Sequence, residues 1–246
     1  MKHEKGSMNR KTYFTVTFLI GLIILSLIYL KWNTYLPSEE AIEALGESIV
    51  FYERNMILIE PVGERIGNLV FYQGGFVKTA SYSVLAQIFA KNGFRVFLPE
   101  MPINLAILNS DAYSEIRDKY PDDGKWVLMG HSLGGTSAII HLSKVKPDLD
   151  ALVLLGSYGT ESADVSDLDI KVLSIVADRD NIISWDQFEL NKKFLPADTT
   201  FETVIGGNHS GFGYYGFQRG DGEATITRIE QHSQVFNIFN NWWFSE

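Results

Sequence analysis

Five residues constrain the fold of this chain more than any other stretch: Gly130-His131-Ser132-Leu133-Gly134. They join the apolar run Trp126-Val127-Leu128-Met129 to the segment TSAIIHLSKV at 136–145, whose apolar residues recur at helical spacing. The first run reads as a buried strand and the second as a helix. The five residues between them are therefore a sharp strand-to-helix turn with a Ser at its apex. Glycines two before and two after the Ser let the strand and helix backbones come close. Such a turn lifts the hydroxyl to the carboxyl edge of a sheet, where open α/β folds bind ligands. The helix starting there aims its free N–H groups and positive dipole end at the same place. A Gly-rich turn with an incidental Ser is the bland alternative; the strand before it and the helix after it favour a reactive hydroxyl.

The rest of the chain repeats this alternation. Residues 49–52 and 56–59 are short apolar runs split by Glu53-Arg54-Asn55, the pattern of a hairpin. Residues 68–72 (NLVFY), 94–98, 152–155, 172–176 and 201–205 (FETVI) read as strands. Helical patterns cover 79–92, ending before Gly93, then 111–120, 187–194 and a long amphipathic segment at 227–243. Strands alternating with helices through right-handed connections predict an α/β fold: a mostly parallel, twisted sheet with helices on both faces.

The chain has no cysteine. That excludes a thiolate nucleophile, a disulfide framework and a Cys-ligated metal. No His/carboxylate cluster has ligand spacing, so neither a metal nor another cofactor is expected. A Ser hydroxyl needs a base, and the base needs an orienting carboxylate. His3 precedes the N-terminal apolar run, His131 adjoins Ser132 and diverges from it, and His141 and His232 lie inside helices. His209 instead sits in the loop Gly206-Gly207-Asn208-His209-Ser210-Gly211 that follows a strand, and such loops concentrate catalytic groups. The carboxylate is expected after the strand at 172–176, where Asp178 and Asp180 compete. Asp180 lies further past the strand, before the apolar pair Ile182-Ile183. Asp178 is placed to pair with Arg179 at the surface. Spacing favours Asp180 and leaves Asp178 open.

From about residue 68 to its end the chain resembles the α/β-hydrolase superfamily, in particular its compact, lidless, dienelactone-hydrolase-like branch (the fold-5 type). The stretches that carry the likeness are FYQGGFVKTASY, MPINLAIL, GHSLGG, LVLLGSY, VLSIVADRD and GGNHSGFGYYG. The resemblance implies an α/β-hydrolase fold and a catalytic Ser132, Asp180 and His209 in the family's chain order. It also implies a serine hydrolase acting on a small ester-like molecule through an acyl-enzyme. The family's acid ends a G-x-x-D turn, which here reads Ala177-Asp178-Arg179-Asp180 and supports Asp180. Dienelactone hydrolases proper use a Cys nucleophile. A chain without Cys shares their fold neighbourhood and not that activity.

Acyl transfer also requires donors for the developing oxyanion. One is expected in the backbone N–H of Leu133 and the other in Gly75 or Phe76, although Gly74-Gly75 equally makes a plain strand-end turn. Only fourteen residues separate Leu155 from Ile170, too few for a helical lid. Shielding is therefore expected from Asn104 within MPINLAIL and from Phe212, Tyr214 and Tyr215, which otherwise pack their loop onto the domain. Transfer to an alcohol acceptor by the same residues, or a non-catalytic binding domain on a hydrolase fold, are the alternatives. The oligomeric state stays open.

A second feature stands apart from this domain. Residues 12–30 (TYFTVTFLIGLIILSLIYL) carry no charge over nineteen positions, and about 20 apolar residues in a helix span a bilayer. Lys2, Lys5, Arg10 and Lys11 precede the run, whereas Glu39, Glu40, Glu43 and Glu47 follow it. The basic flank predicts a cytoplasmic N-terminus and an extracytoplasmic domain on a single-pass protein of the cell membrane. A cleaved signal is disfavoured, because the run exceeds the usual signal core and no small-x-small site ends it. The expected plan is a basic tail at 1–11, an anchor at 12–30, a stalk with a short helix at 31–47 and the domain at 48–246. Residues 1–31 hold five of the 21 basic and one of the 30 acidic residues, which leaves a net charge of −13 on the rest. That acidity argues against nucleic acid as a partner.

Overall fold

In this computed structural model, residues 9–46, 49–121, 124–145 and 148–245 are described, and the chain divides into two units, Met1–Thr34 and Tyr35–Glu246. In the first unit, helix α1 (Arg10–Asn33) is long and apolar enough to cross a membrane by length and composition. The Asn9 side chain accepts from the Lys11 N–H and starts it. Of the expected basic tail, Arg10 and Lys11 form the first turn of α1, and Lys2 and Lys5 lie outside the described residues.

The second unit is built on one sheet of eight strands: β1 (Val50–Glu53), β2 (Met56–Ile59), β3 (Gly67–Tyr72), β4 (Phe94–Pro99), β5 (Trp126–His131), β6 (Ala151–Leu155), β7 (Lys171–Ala177) and β8 (Thr200–Val204). Their spatial order is β1-β2-β4-β3-β5-β6-β7-β8. The first two pairings are antiparallel and the other five parallel. The β1–β2 hairpin pairs Glu53 with Met56, so its turn is Arg54-Asn55, one residue tighter than the sequence pattern suggests.

Helices α3 (Ser83–Lys91) and α7 (Arg228–Trp243) cover one face of the sheet, with Leu85, Phe89, Val235 and Phe239 against Leu69, Phe71, Val127 and Met129. Helices α4 (Ala112–Lys119) and α5 (Leu133–Val145) cover the other, with Tyr113, Ile116, Ala138 and Leu142 against Val70, Tyr72, Trp126 and Leu128. Alternate residues of β3 and β5 thus enter opposite cores, as the two-residue side-chain period requires. Burial on both faces is why these strands read as continuous apolar runs instead of alternating ones. Helix α6 (Trp185–Asn191) packs Phe188 on a smaller cluster with Val176 and Ile183.

One expectation is corrected here. The segment read as a stalk belongs to the domain from Tyr35 onward. Tyr35 forms an isolated parallel bridge with Val77. Helix α2 (Glu39–Ala44) buries Ala41 and Ala44, and Leu45 joins the core of the α3/α7 face. The side chain of Ser83 donates to the Ala41 carbonyl, and Gln87 Nε2 donates to the Ala44 carbonyl at 2.7 Å. The glutamates of α2 solvate one side of a helix whose other side is small and apolar, so its composition alone looked like linker.

Candidate active site

Ser132 stands between the last residue of β5 and the first of α5, with φ +53°. A non-glycine residue with that φ is strained and persists only where its surroundings hold it. Two backbone bonds do so here: Ser132 N–H to Leu155 O at 2.9 Å, and Thr136 N–H to Ser132 O at 3.2 Å. The flanking glycines are required by contact. A Cβ on Gly134 runs into the Tyr72 carbonyl oxygen, and one on Gly130 meets the backbone of Gly134 and Gly135. The Ser is half-buried, and as the first residue of α5 Leu133 carries an N–H without an intrahelical acceptor.

Asp180 and His209 come from the loops after β7 and β8, at the same carboxyl edge of the sheet. Both are buried, and His209 Nδ1 lies 2.6 Å from Asp180 Oδ2. The other Asp180 oxygen accepts the N–H groups of Ile182 at 2.8 Å and Ile183 at 3.0 Å, so the carboxylate is fixed by its own turn. Asp178 is exposed and turns away to accept the Gly206 N–H at 2.7 Å. His209 Nε2 is buried and takes no hydrogen bond from the described residues, Ser132 included, so it is the ring nitrogen left for chemistry.

Two contacts bring this pair beside the Ser132 turn. The rings of His209 and His131, the residue before Ser132, are 4.5 Å apart. Gly156, the residue after the Leu155 carbonyl that anchors Ser132, leaves space that His209 and Asp180 fill. A Cβ there meets His209 Nδ1 at 3.0 Å and Asp180 Oδ2 at 3.1 Å, and Gly156 itself has φ +52°.

The residue within the turn, His131, is tied backward. Tyr82 Oη accepts the Gly74 N–H at 2.9 Å and lies 2.8 Å from His131 Nδ1. Burial, and then the neighbouring His209, hold the His131 pKa well below its usual value. A neutral ring therefore stands next to His209.

The geometry also sorts the remaining expected residues. Phe76 has φ +57°, and its N–H donates to Asn104 O at 2.8 Å. This corrects Phe76 as an oxyanion donor, because its N–H is already committed, and leaves Gly75. A Cβ on Gly75 meets Leu133 Cδ2 at 3.1 Å, so the two remaining N–H candidates lie on adjoining residues. Asn104, itself at φ +59°, serves through its carbonyl and borders a cavity of about 100 Å³ with Gln73 and Thr79. Of the expected pocket residues, Phe212 and Tyr215 are buried. Phe212 lies behind His131 at 5.4 Å and Tyr215 packs on Tyr35 at 5.4 Å. Tyr214 lines a cavity of about 680 Å³ with Asn208, Arg228 and Gln231, whose lining includes none of Ser132, Asp180 and His209. Residues 156–169 carry turns and no helix.

Sequence reading missed Asp221. It is buried, its Oδ1 accepts from His209 N–H at 3.3 Å, and its Oδ2 accepts from Ser210 N–H and Ser210 Oγ, both at 2.7 Å. The Asn181 N–H also reaches Oδ1 at 3.4 Å, so one carboxylate joins the loops of Asp180 and His209. A carboxylate between two glycines at Gly220-Asp221-Gly222 was the available signal.

Residues 68–233, more than half of the chain, match the Alpha/beta hydrolase family. The chain belongs to that family. Solved structures carry the same fold at low identity. An alpha/beta hydrolase enzyme, MGS-MChE2, from the metagenome of lagoon sediments at Mar Chica, Morocco, is 16% identical, with a TM-score of 0.59 over 79% of this chain and 99% of that one. A thermophilic esterase from Thermogutta terrifontis is 13% identical, with a TM-score of 0.56 over 76% and 93%. Esterase 2 of the same organism, phosphonylated by cyclosarin, is 15% identical, with a TM-score of 0.57 over 80% and 95%. No curated protein matches the chain. This alpha/beta hydrolase therefore shares its architecture with esterases and hydrolases, a likeness that concerns the fold.

Proposed function

We propose that the protein is a membrane-anchored serine hydrolase that cleaves carboxylic ester-type bonds in small molecules. The observation that carries this reading is the buried 2.6 Å contact between Asp180 and His209 Nδ1, beside the strained turn at Ser132. Asp180 holds the imidazole with its proton on Nδ1, which leaves Nε2 as the acceptor. Nε2 takes the Ser132 proton as Oγ attacks the carbonyl carbon. The carbonyl oxygen becomes an oxyanion, which the N–H groups of Leu133 and Gly75 receive. The tetrahedral intermediate collapses, the alcohol leaves with the proton from Nε2, and an acyl-Ser132 ester remains. Water, deprotonated by the same Nε2, attacks that ester. The acid departs and Ser132 recovers its proton. Neutral His131 favours this cycle, since the His209 imidazolium forms beside the Asp180 carboxylate and without a second cation next to it.

The Thermogutta esterase 2 named above is phosphonylated by cyclosarin, which motivates the same class of electrophile as a probe. Replacement of Ser132 by Ala is expected to abolish both hydrolysis of a simple aryl ester and fluorophosphonate labelling. Retained hydrolysis contradicts the assignment. Helix α1 supports the anchor by length and composition. The proposed topology puts the basic tail at 1–11 in the cytoplasm, the span at 12–30 and the domain outside, so that the protein resists alkaline carbonate extraction. Release of the full chain by carbonate contradicts anchoring.

A further inference from the structure

Two loops of the proposed site meet on one short piece of chain. The first, 74–78, carries Gly75. It begins as a four-residue turn in which the Val77 N–H closes on Gly74 O at 3.3 Å, with Phe76 at φ +57° inside it. Phenylalanine does not hold a left-handed conformation unaided. Tyr35 grips the residues on either side of Val77: its N–H donates to Phe76 O at 2.7 Å, and the Lys78 N–H donates to Tyr35 O at 3.0 Å. With the Phe76 N–H held by Asn104 O, the strained residue is clamped through both of its backbone groups.

The second loop, 206–220, carries His209. The Tyr35 ring packs on Tyr215 at 5.4 Å, and the Arg219 N–H reaches Tyr35 Oη at 3.4 Å. Three residues further on, the Ser38 N–H donates to Tyr214 O at 2.8 Å. The Tyr214 N–H in turn donates to Ser81 O at 2.7 Å, so that peptide is also held from both sides. Ser81 makes a second link of this kind, its N–H donating to Lys78 O at 2.9 Å while its carbonyl accepts from Tyr214.

We infer that residues 35–38 are a positioning strap for the reaction. Tyr35 fixes the turn that presents the Gly75 N–H, Tyr35 and Ser38 fix the loop that presents His209, and the strap sets the distance between donor and base. This deepens the hydrolase reading and rests on it. Without the grip of Tyr35, the Phe76 peptide relaxes toward negative φ. The Gly75 N–H then turns off the oxyanion while ground-state binding stays nearly unchanged. The loss therefore appears in kcat and not in KM, which separates positioning from a general loss of fold.

The test uses the full-length protein and an aryl ester, with Ser132→Ala as the reference for the reading it rests on. Tyr35→Pro removes the N–H that holds Phe76 O together with the ring on Tyr215, and Thr34 at ψ 121° accepts a following proline. It is expected to lower kcat about tenfold or more, with KM changed less than about threefold. Phe76→Asn, a residue that tolerates positive φ, is expected to restore most of that loss in the Tyr35→Pro background. Ser38→Pro covers the case in which Tyr35→Pro does not accumulate. The native φ of −71° at Ser38 suits proline, and the N–H bond to Tyr214 is lost together with the hydroxyl beside Glu40, so kcat falls about threefold or more with thermal stability preserved. Wild-type kcat in Tyr35→Pro or in Ser38→Pro, or a Tyr35→Pro defect that Phe76→Asn leaves untouched, overturns the strap. If Ser132→Ala itself remains active, the hydrolase reading falls instead.

Discussion

Asp180 and Asp178 are two residues apart and chemically identical, yet the fold gives them opposite tasks. Asp180 is buried, with one oxygen on His209 and the other on its own turn. Asp178 is exposed and holds the start of the His209 loop through Gly206. Asp180→Asn keeps the volume but removes the acceptor that sets the imidazole tautomer, so kcat is expected to fall about a thousandfold or more. Asp178→Asn keeps one acceptor oxygen and is expected to stay within about fivefold of the wild type. A crippled Asp178→Asn beside an active Asp180→Asn contradicts the assignment. Sequence narrowed the acid to these two residues by the loop that holds them. It did not separate them by geometry, because the distinguishing facts are a burial and a direction. Ser132 and His209 were more legible, since each occupies a loop whose glycines and preceding strand can be read locally. Asp221 was harder to read, because beyond its flanking glycines its partners at Asn181, His209 and Ser210 come from other loops or across a turn.

At the scale of elements, the site exists because four neighbouring parallel strands end together. β5 ends in the Ser132 turn, β7 and β8 in the loops of Asp180 and His209, and β6 between them in a residue with no side chain. Gly156 at the end of β6 is thus a spacer, and its emptiness is what the Asp180–His209 pair occupies. Gly156→Ala adds a Cβ about 3 Å from both polar atoms, at a backbone φ of +52°. It is expected to cost a hundredfold or so in kcat, the scale of a displacement of about 1 Å in a catalytic group, and thermal unfolding should show a native fold. Full activity in that variant means the pair sits elsewhere during turnover. The elements themselves were largely readable from apolar periodicity, to within about three residues at their ends. Helix α2 was expected only as a short helix on a stalk, and its packing face was not read. Ala41, Ala44 and Leu45 fall at helical spacing, but four glutamates in its neighbourhood masked a face made of small residues.

Across the whole molecule, charge and burial set how the domain responds to pH. His232, on α7, is fully buried, and burial lowers its pKa from 6.5 to about 4. The unfolded chain therefore binds a proton between pH 6.5 and 4 that the folded chain refuses, so stability is present at neutral pH and falls as pH drops through that window. For this residue the loss is about 2 kcal/mol by pH 5, and His131 adds to it with the same sign. Burial outweighs the opposing contacts of the ring with the Gly211 and Phe212 backbone. His232→Leu is thus expected to match the wild type at pH 7 and exceed it at pH 5 in denaturant unfolding. Equal pH dependence in both proteins contradicts the buried neutral imidazole. The N-terminal unit adds a different asymmetry, an uncharged run at 12–30 within α1, in a chain whose residues 32–246 carry −13.

The central claim is that Ser132 is a nucleophile activated by His209 and oriented by Asp180. Intact-mass measurement after exposure of the full-length protein to a fluorophosphonate tests it most directly. The account predicts one added phosphonyl group, mapped by peptide sequencing to Ser132, formed at neutral pH, absent in Ser132→Ala and strongly slowed in His209→Ala. An unmodified wild-type protein, or modification at a different residue that persists in Ser132→Ala, contradicts it.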